Sequence, residues 1–587
     1  MILCDLMIEA TLDELVDAFS NRIHAGCIVD IWVFDSLERR CAAREALSRH
    51  DVRANVRSAY KPLVHAFLDE IDLDGVKSML VHYPIVTDVE ERRFLLEAYP
   101  LQSLTGGRPV VLKPLERRQM HGLLCYKVEL HADDGAIETI EVAAPNVFRT
   151  DHLGGRILSC SGWVRVIADG KPELSRDGPV PLDQAKAFEA ALTAVKGHEW
   201  PAVPPLFDRM NIRIEAPFYD REIGVGSECL STAEAMHEDI YFSMLEALKT
   251  MSGFHEHDRT FQPGQIVPDI RTCKGPLKVC VTLEANRTID AGRKRAAPAR
   301  DCLDEVGHWL EPDAIKTRLD ALGGDTYEAV SQRGRPVWGT HIAGPEPQVV
   351  ISAGQHSNET SGPVGALRAA ERLKQAGTIG FALSPLENPD GYALFRELAG
   401  IYPNHMHHAA RYTAGGGDLE YFDRGFENEV RYLGRKKTGA DLHLNLHGYP
   451  AHEWTRPFTG YVPKGFELWT IPKGFFLIVR YKSGWKDLAR VVLRAIIDDL
   501  ATYEPLVALN KAQLARYRHH VEDVSFAVDR NIPFMISEEE AGLFPITIIT
   551  EAPDETIYGE DFIIAHTAQM RAVLAAVEAY RRARKTV

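Results

Sequence analysis

The stretch PQVVISAGQHSNET, residues 347–360, decides the fold. Val349 to Ala353 form a short, mostly β-branched run bounded by Pro347 and Gly354, which reads as a strand buried on both faces. Gln355, His356, Ser357, Asn358 and Glu359 follow as a polar turn. Pro363 then falls in the first turn of a helix that runs to Gly377, a C-cap. Strand, polar turn and helix make half of a βαβ unit. The turn lies at the carboxyl end of the strand, where open α/β sheets place their sites.

The pattern repeats outward from this unit. Asp304–Leu322 reads as a helix that stops at Gly323 and Gly324, and TYEAVSQ (326–332) and PVWGTHIA (336–343) read as strands. GFALSPL (380–386), DLHLNLHGY (441–449) and PITIITEAP (545–553) are further buried strands. Thr567–Arg584 is an amphipathic helix whose terminal Arg581, Arg582, Arg584 and Lys585 suit a helix C-terminus. Alternating strands and helices predict an α/β fold for residues 301–587.

The preceding residues read as α+β, with strands such as GCIVDIWVF (26–34) and VKSMLVHYPIV (76–86) and helices at Leu37–Ser48, Asp183–Val195 and Glu234–Lys249. The Pro-, Gly- and charge-rich stretch 169–181 reads as a linker or long loop, and DAGRKRAAPARD (290–301) as a boundary. The expected division is therefore 1–168, 169–300 and 301–587, in keeping with 587 residues being too many for one ordinary domain.

With 45% hydrophobic and 26% charged residues, the composition is globular and excludes disorder and collagen-like repeats. The net charge of −16 argues against nucleic acid as a partner. The run Arg293, Lys294, Arg295 reads as a solvated loop. No apolar run reaches the length of a bilayer span and the first residues lack a basic leader, so a cytoplasmic protein without a membrane partner is expected. The nine cysteines are odd in number, form no CxxC pair and all lie at or before Cys302. They read as reduced thiols, neither a disulfide framework nor a zinc ribbon.

His356 and Glu359 form an HxxE pair that can offer imidazole nitrogen and carboxylate oxygen to one zinc ion. Such a pair alone is weak, and the chain has two others, His308/Glu311 and His519/Glu522, inside helical patterns. Only His356/Glu359 follows a buried strand. A third ligand should come from another strand end. DLHLNLHGYP offers His443 and His447 on one face by alternation, with His447 at the end and His443 deeper. Two His and one Glu leave a position open for water, which is a catalytic arrangement and predicts one Zn2+ per chain.

At this point the C-terminal half resembles the zinc carboxypeptidase family, metallopeptidase family M14. It has a secondary likeness to succinylglutamate desuccinylase/aspartoacylase-type deacylases, whose "H-G-N-E" is close to His356-Ser-Asn-Glu359. GRPVWGT (334–340), Asn388-Pro-Asp-Gly-Tyr392, Asp418 in GGDLEY, His447-Gly-Tyr449 and Glu551 in TIITEAP occur in family order. The resemblance spans roughly 303–587 and implies an α/β/α sandwich around a mixed, eight-stranded-type sheet. It also implies a Glu general base at Glu551, Asp418 holding the far nitrogen of His356, Arg411 stabilising an oxyanion, and Asn388 shaping its turn. The alternatives are a strand-end surface carboxylate, a turn aspartate and a helix-surface arginine.

Where the family grips a terminal carboxylate with Asn and Arg, this chain has Glu420 and Tyr421, which with Tyr449 are the expected substrate-binding residues. A glutamate there would repel a carboxylate. Arg424, Arg431, Arg435 and Arg456 are the candidates to replace the lost arginine, and Glu538–Glu540 could line a pocket for a basic side chain. The expected function is a zinc-dependent hydrolase of a peptide or amide bond, acting on a peptide or an acylated amino acid and not as a standard C-terminal carboxypeptidase. An N-acyl amino acid deacylase or amidase on the same fold, and a non-catalytic peptide-binding relative, are the alternatives. Homo-oligomerisation stays open.

Overall fold

The structure is a computed structural model that describes residues 1–116, 122–168, 172–255, 258–285, 302–421, 424–461, 465–521 and 524–585. The expected boundary at 290–301 and its basic run lie outside the described residues.

The C-terminal half is built on a nine-stranded mixed sheet, one strand more than the resemblance implied. Its order is Asp325–Val330, Pro336–Ile342, Phe381–Ser384, Val349–Ala353, Leu442–Pro450, Ile546–Glu555, Phe476–Tyr481, Ile532–Glu538, Ala527–Asp529. The four central strands, from Phe381–Ser384 to Ile546–Glu555, run parallel. The chain leaves Val349–Ala353 for Phe381–Ser384 on one side and later returns to Leu442–Pro450 on the other. That reversal creates a crevice at the carboxyl ends of the two strands.

Alternation assigns the faces. Val349, Ile351, Ala353, Leu442, Leu444 and Leu446 belong to the main core with helices Ser361–Ala376 and Glu560–Lys585. Val350 and Ala382 cluster with Tyr327 and Phe544 on the opposite face, where helix Glu429–Thr438 packs. His443, Asn445 and His447 share that second face. Both faces are covered, so Leu442–Pro450 is buried along its whole length.

In the N-terminal half, Ile2–Ile8, Leu277–Glu284, Arg209–Ala216 and Gln265–Thr272 form one four-stranded sheet. Helices Asp183–Lys196 and Thr232–Met251 pack on it. Two further four-stranded sheets lie within residues 28–180. The main hydrophobic cluster runs from Leu12 to Tyr580 and takes in residues of both halves. All nine cysteines are free thiols. Among the described residues no helix is long and apolar enough to cross a membrane.

Three local readings are corrected. Within 169–181, read as a loop, Arg176–Val180 is a strand paired with Gly162–Ile167. It is the outer strand of its sheet, the position that tolerates Pro179, and Asp177 anchors it by accepting from Trp163 Nε1 at 2.7 Å. The helix expected from Asp304 begins at Pro312, because proline disfavours helical backbone in the residue before it. His308 and Glu311 therefore precede that helix instead of lying in it. The last helix starts earlier than Thr567, at Glu560.

Candidate active site

The turn after Val349–Ala353 carries His356 and Glu359, and strand Leu442–Pro450 carries His447 to the same place. His356 Nδ1 lies 2.7 Å from Glu359 Oε1 and 3.0 Å from His447 Nδ1, and His447 Nδ1 lies 3.0 Å from Glu359 Oε2. All three side chains are buried, and their ligand atoms fall within 4.8 Å of one another. Two imidazole nitrogens and a carboxylate thus converge on one point. This donor set is the N, N, O combination that zinc takes, so the residues fit the ion. Asp418 Oδ1 lies 3.2 Å from Nε2 of His356. A proton held there leaves the Nδ1 lone pair for the ligand position. His443 bonds Ser352 Oγ at 2.8 Å and stacks on Phe544, which makes it a satisfied core residue.

Glu551 stands opposite His447 in the parallel register and lines the same cleft. Burial, then the charge of Glu359, pushes its carboxyl well above the usual range, while Arg411 and Lys473 oppose the shift. Glu359 itself is held below the ordinary value, because His356, His447 and Arg411 together outweigh its burial. Burial also works against a charged His356, but Glu359 and Asp418 outweigh it and its pKa rises. At His447 burial prevails and the pKa falls. Arg411 Nη1 donates to Glu359 Oε1 at 2.7 Å and its side chain lines the cleft.

The remaining motifs act as scaffolding. Asn388 caps helix Pro389–Ala399 by accepting from Gly391 N, and its Nδ2 donates to the Tyr412 carbonyl at 3.1 Å, which fixes the turn that carries Arg411. Asp390 accepts from Arg335 Nη1 at 2.5 Å, so the GRP and NPDGY segments are partners in space. A Cβ on Gly448 would meet Asp554 Oδ1 at 1.9 Å, so only glycine fits between His447 and Tyr449.

The three expected substrate contacts differ in kind. Glu420 lines the cleft, but Arg480 Nη1 donates to it at 2.6 Å and Arg431 lies at 3.5 Å. Its charge is thus met by guanidinium groups, which the sequence reading did not supply. Tyr421 accepts from Arg259 of the N-terminal half at 2.9 Å. The Tyr449 hydroxyl is engaged with the backbone of Lys473 and Gly474, so only its ring faces the cleft.

None of the four arginines proposed as replacements lines the cleft. Arg424 pairs with Glu429, Arg431 with Glu387, Arg456 with Asp239 and Glu246, and Arg435 lies over the Phe544 ring. Arg480 and Arg259 line it instead. Of the acidic run, Glu539 pairs with Arg480 and Glu540 accepts from Ser483 N.

The cleft measures about 310 Å³. Its floor includes Ile478 and Ile549, cross-strand partners on the face that carries Glu551. One wall comes from the N-terminal half, with Phe242, Leu245, Glu246 and Lys249 on helix Thr232–Met251 and Asp258, Arg259 and Phe261 after it. The helix is seated by buried carboxylates. Glu234 accepts from Met406 N and meets His452 at 2.7 Å, and Asp239 accepts from Phe458 N at 2.8 Å. No periodicity in the sequence marks these carboxylates as buried.

Residues 326–461 match the sequence model of the zinc carboxypeptidase family, Peptidase M14. The resemblance read from the C-terminal motifs is borne out. No curated protein matches the chain. Among solved structures, carboxypeptidase A from Helicoverpa armigera is 13% identical, with 55% of this chain and 92% of that one covered and a TM-score of 0.31. A metallo-carboxypeptidase from Burkholderia cenocepacia is 15% identical, covering 52% and 76% with a TM-score of 0.29. A metallo-carboxypeptidase from Pseudomonas aeruginosa, solved with (2-guanidinoethylmercapto)succinic acid, is 13% identical, covering 52% and 73% with a TM-score of 0.29.

Proposed function

With residues 326–461 in the zinc carboxypeptidase pattern as the premise, we propose that the chain hydrolyses a peptide or amide bond, using one zinc ion held by His356, Glu359 and His447. The observation that carries this reading is the convergence of those three side chains at a cleft that His356, His447 and Glu551 line. Bound zinc supplies a Lewis acid that polarises the scissile carbonyl and acidifies a water.

The chain's own residues do the rest. Asp418 keeps the proton of His356 on Nε2. Glu551 takes a proton from the attacking water on a carboxylate oxygen and delivers it to the leaving nitrogen. Burial and then the charge of Glu359 raise Glu551, and a cation held by Glu359 would offset the second of these. Arg411 faces the cleft to meet the negative charge that develops on the carbonyl oxygen. Ile478, Ile549 and the aromatic rings of Phe242, Phe466 and Trp469 limit water in the cleft.

The substrate is a peptide or an acylated amino acid, and action as a standard C-terminal carboxypeptidase is not proposed, because Glu420 and Tyr421 stand at the gripping positions. A cleft of about 310 Å³ is near the lower end of ligand sites and favours, as a second reading, deacylation of a small N-acyl amino acid. The test compares zinc-loaded protein on matched peptides with free and amidated C-termini and on N-acetyl amino acids. Amidated peptides or N-acetyl amino acids should be cleaved at least as fast as free-acid peptides, with loss under chelation and return with zinc. Cleavage of free-acid peptides far faster than of both amidated peptides and N-acetyl amino acids refutes the substrate reading, and no cleavage of any compound refutes the hydrolase reading.

A further inference from the structure

Glu238, on helix Thr232–Met251 of the N-terminal half, is 0% exposed. Burying a carboxylate is costly unless something meets it. Nδ1 of His408 meets one oxygen, and Oε1 of Glu238 has no hydrogen-bond partner. His408 lines the cleft, and its ring is held between Trp454, Phe242 and Phe466 at centroid distances of 4.6, 5.5 and 5.8 Å. With Nδ1 turned to Glu238, Nε2 is the nitrogen left for the cleft.

The backbone places this ring beside Arg411. His408 opens the 3-10 turn His408–Ala410 and Arg411 caps it. Residues three apart eclipse in such a turn, so imidazole and guanidinium stand on one side of it, and both line the cleft. Two other histidines are bonded to carboxylates across the halves, His452 to Glu234 at 2.7 Å and His405 to Asp220 at 3.1 Å, and neither lines the cleft. A joint between halves does not need a cleft-facing ring, so His408 has a use that they lack.

We propose that His408 is a second hydrogen-bond donor to the substrate carbonyl oxygen, beside Arg411, and that Glu238 of the N-terminal half is its positioning residue. This rests on the hydrolase reading and deepens it, since the N-terminal half then completes the active site. Glu238 holds the ring at Nδ1, which fixes where Nε2 points. Nε2–H meets the oxygen as charge develops there, and no proton is transferred.

The test uses the full-length zinc-loaded chain and whichever compound of the panel above the wild type cleaves fastest. His408→Ala should lower kcat roughly 100-fold with KM changed less than about twofold, the signature of a lost oxyanion donor. Zinc content should match the wild type, while Tm falls because Glu238 loses its partner. Added imidazole should fill the vacated space and restore most of the lost rate, without accelerating the wild type. Glu238→Gln should lower kcat with KM unchanged. His452→Gln, at a joint away from the cleft, should lower Tm while kcat stays and imidazole has no effect. If His408→Ala does not fold, His408→Gln is measured for the same kcat-against-KM split. Wild-type kcat in the His408 variant, or a loss without imidazole rescue in a folded variant of normal zinc content, overturns the proposal and leaves the hydrolase reading standing. A wild type that cleaves nothing in the panel overturns both.

Discussion

His447 and Glu551 occupy the same register position on adjacent parallel strands, Leu442–Pro450 and Ile546–Glu555. One strand pair therefore brings an imidazole and a carboxyl to one side of one crevice. Neighbouring positions in register project side by side, so the spacing between the two side chains is set by the sheet and not by loops.

From this placement, Glu551→Gln should keep its zinc and lose hydrolysis by roughly 100-fold or more, the scale of a missing general base. Metal content and turnover measured on the same preparation check it. Normal turnover with normal zinc would show that another group takes the proton.

Asp418 meets His356 at Nε2, 3.2 Å away, on the ring nitrogen that does not face Glu359. Asp418→Asn should weaken zinc binding roughly 10- to 100-fold, as removal of such outer partners commonly does. Competition against a graded series of chelators reads the change directly. An unaltered affinity would mean that the tautomer of His356 is fixed in some other way.

Gly448 is fitted against Asp554, with no room for a Cβ. Gly448→Ala should cost about 1–3 kcal/mol of stability, the usual range for overpacking. Urea denaturation of the full chain measures it, and a variant as stable as the wild type would contradict the close approach.

Glu97 provides a pH test away from the site. Burial pushes its pKa up to about 7 from 4.5, and Oε1 has no hydrogen-bond partner. The folded chain then holds a proton that the unfolded chain has lost between pH 4.5 and 7, so this group's contribution to stability is present below pH 4.5 and falls as pH rises to about 7. The loss is about 3 kcal/mol. Glu97→Gln should remove that fall, so its Tm advantage over the wild type should be larger at pH 8 than at pH 5. An equal difference at both pH values would contradict the burial argument.

Much of the C-terminal half was legible in the sequence. Val349–Ala353, Leu442–Pro450 and Ile546–Glu555 are buried parallel strands whose apolar runs announce them, and His356, Glu359 and His447 stand at or just past the ends of such runs. His443 and His447 could be ranked by depth alone. Other features were not legible, because they depend on contacts between distant residues. Glu420 gains its partner Arg480 across 60 residues of sequence, and Arg259 reaches Tyr421 across 162. Helix Thr232–Met251 carries Glu234, Glu238 and Asp239, which periodicity would place at a solvated face. They are buried because the other half of the chain supplies His452, His408 and the backbone of Phe458. Arg176–Val180 was missed because an outer strand can hold the proline and glycine that otherwise signal a loop.

The central claim is that His356, Glu359 and His447 hold one zinc ion. Metal analysis of the purified wild type, His356→Ala and His447→Ala tests it most directly. One zinc per wild-type chain and a sharp loss in both variants are expected, whereas equal zinc in all three would contradict the assignment.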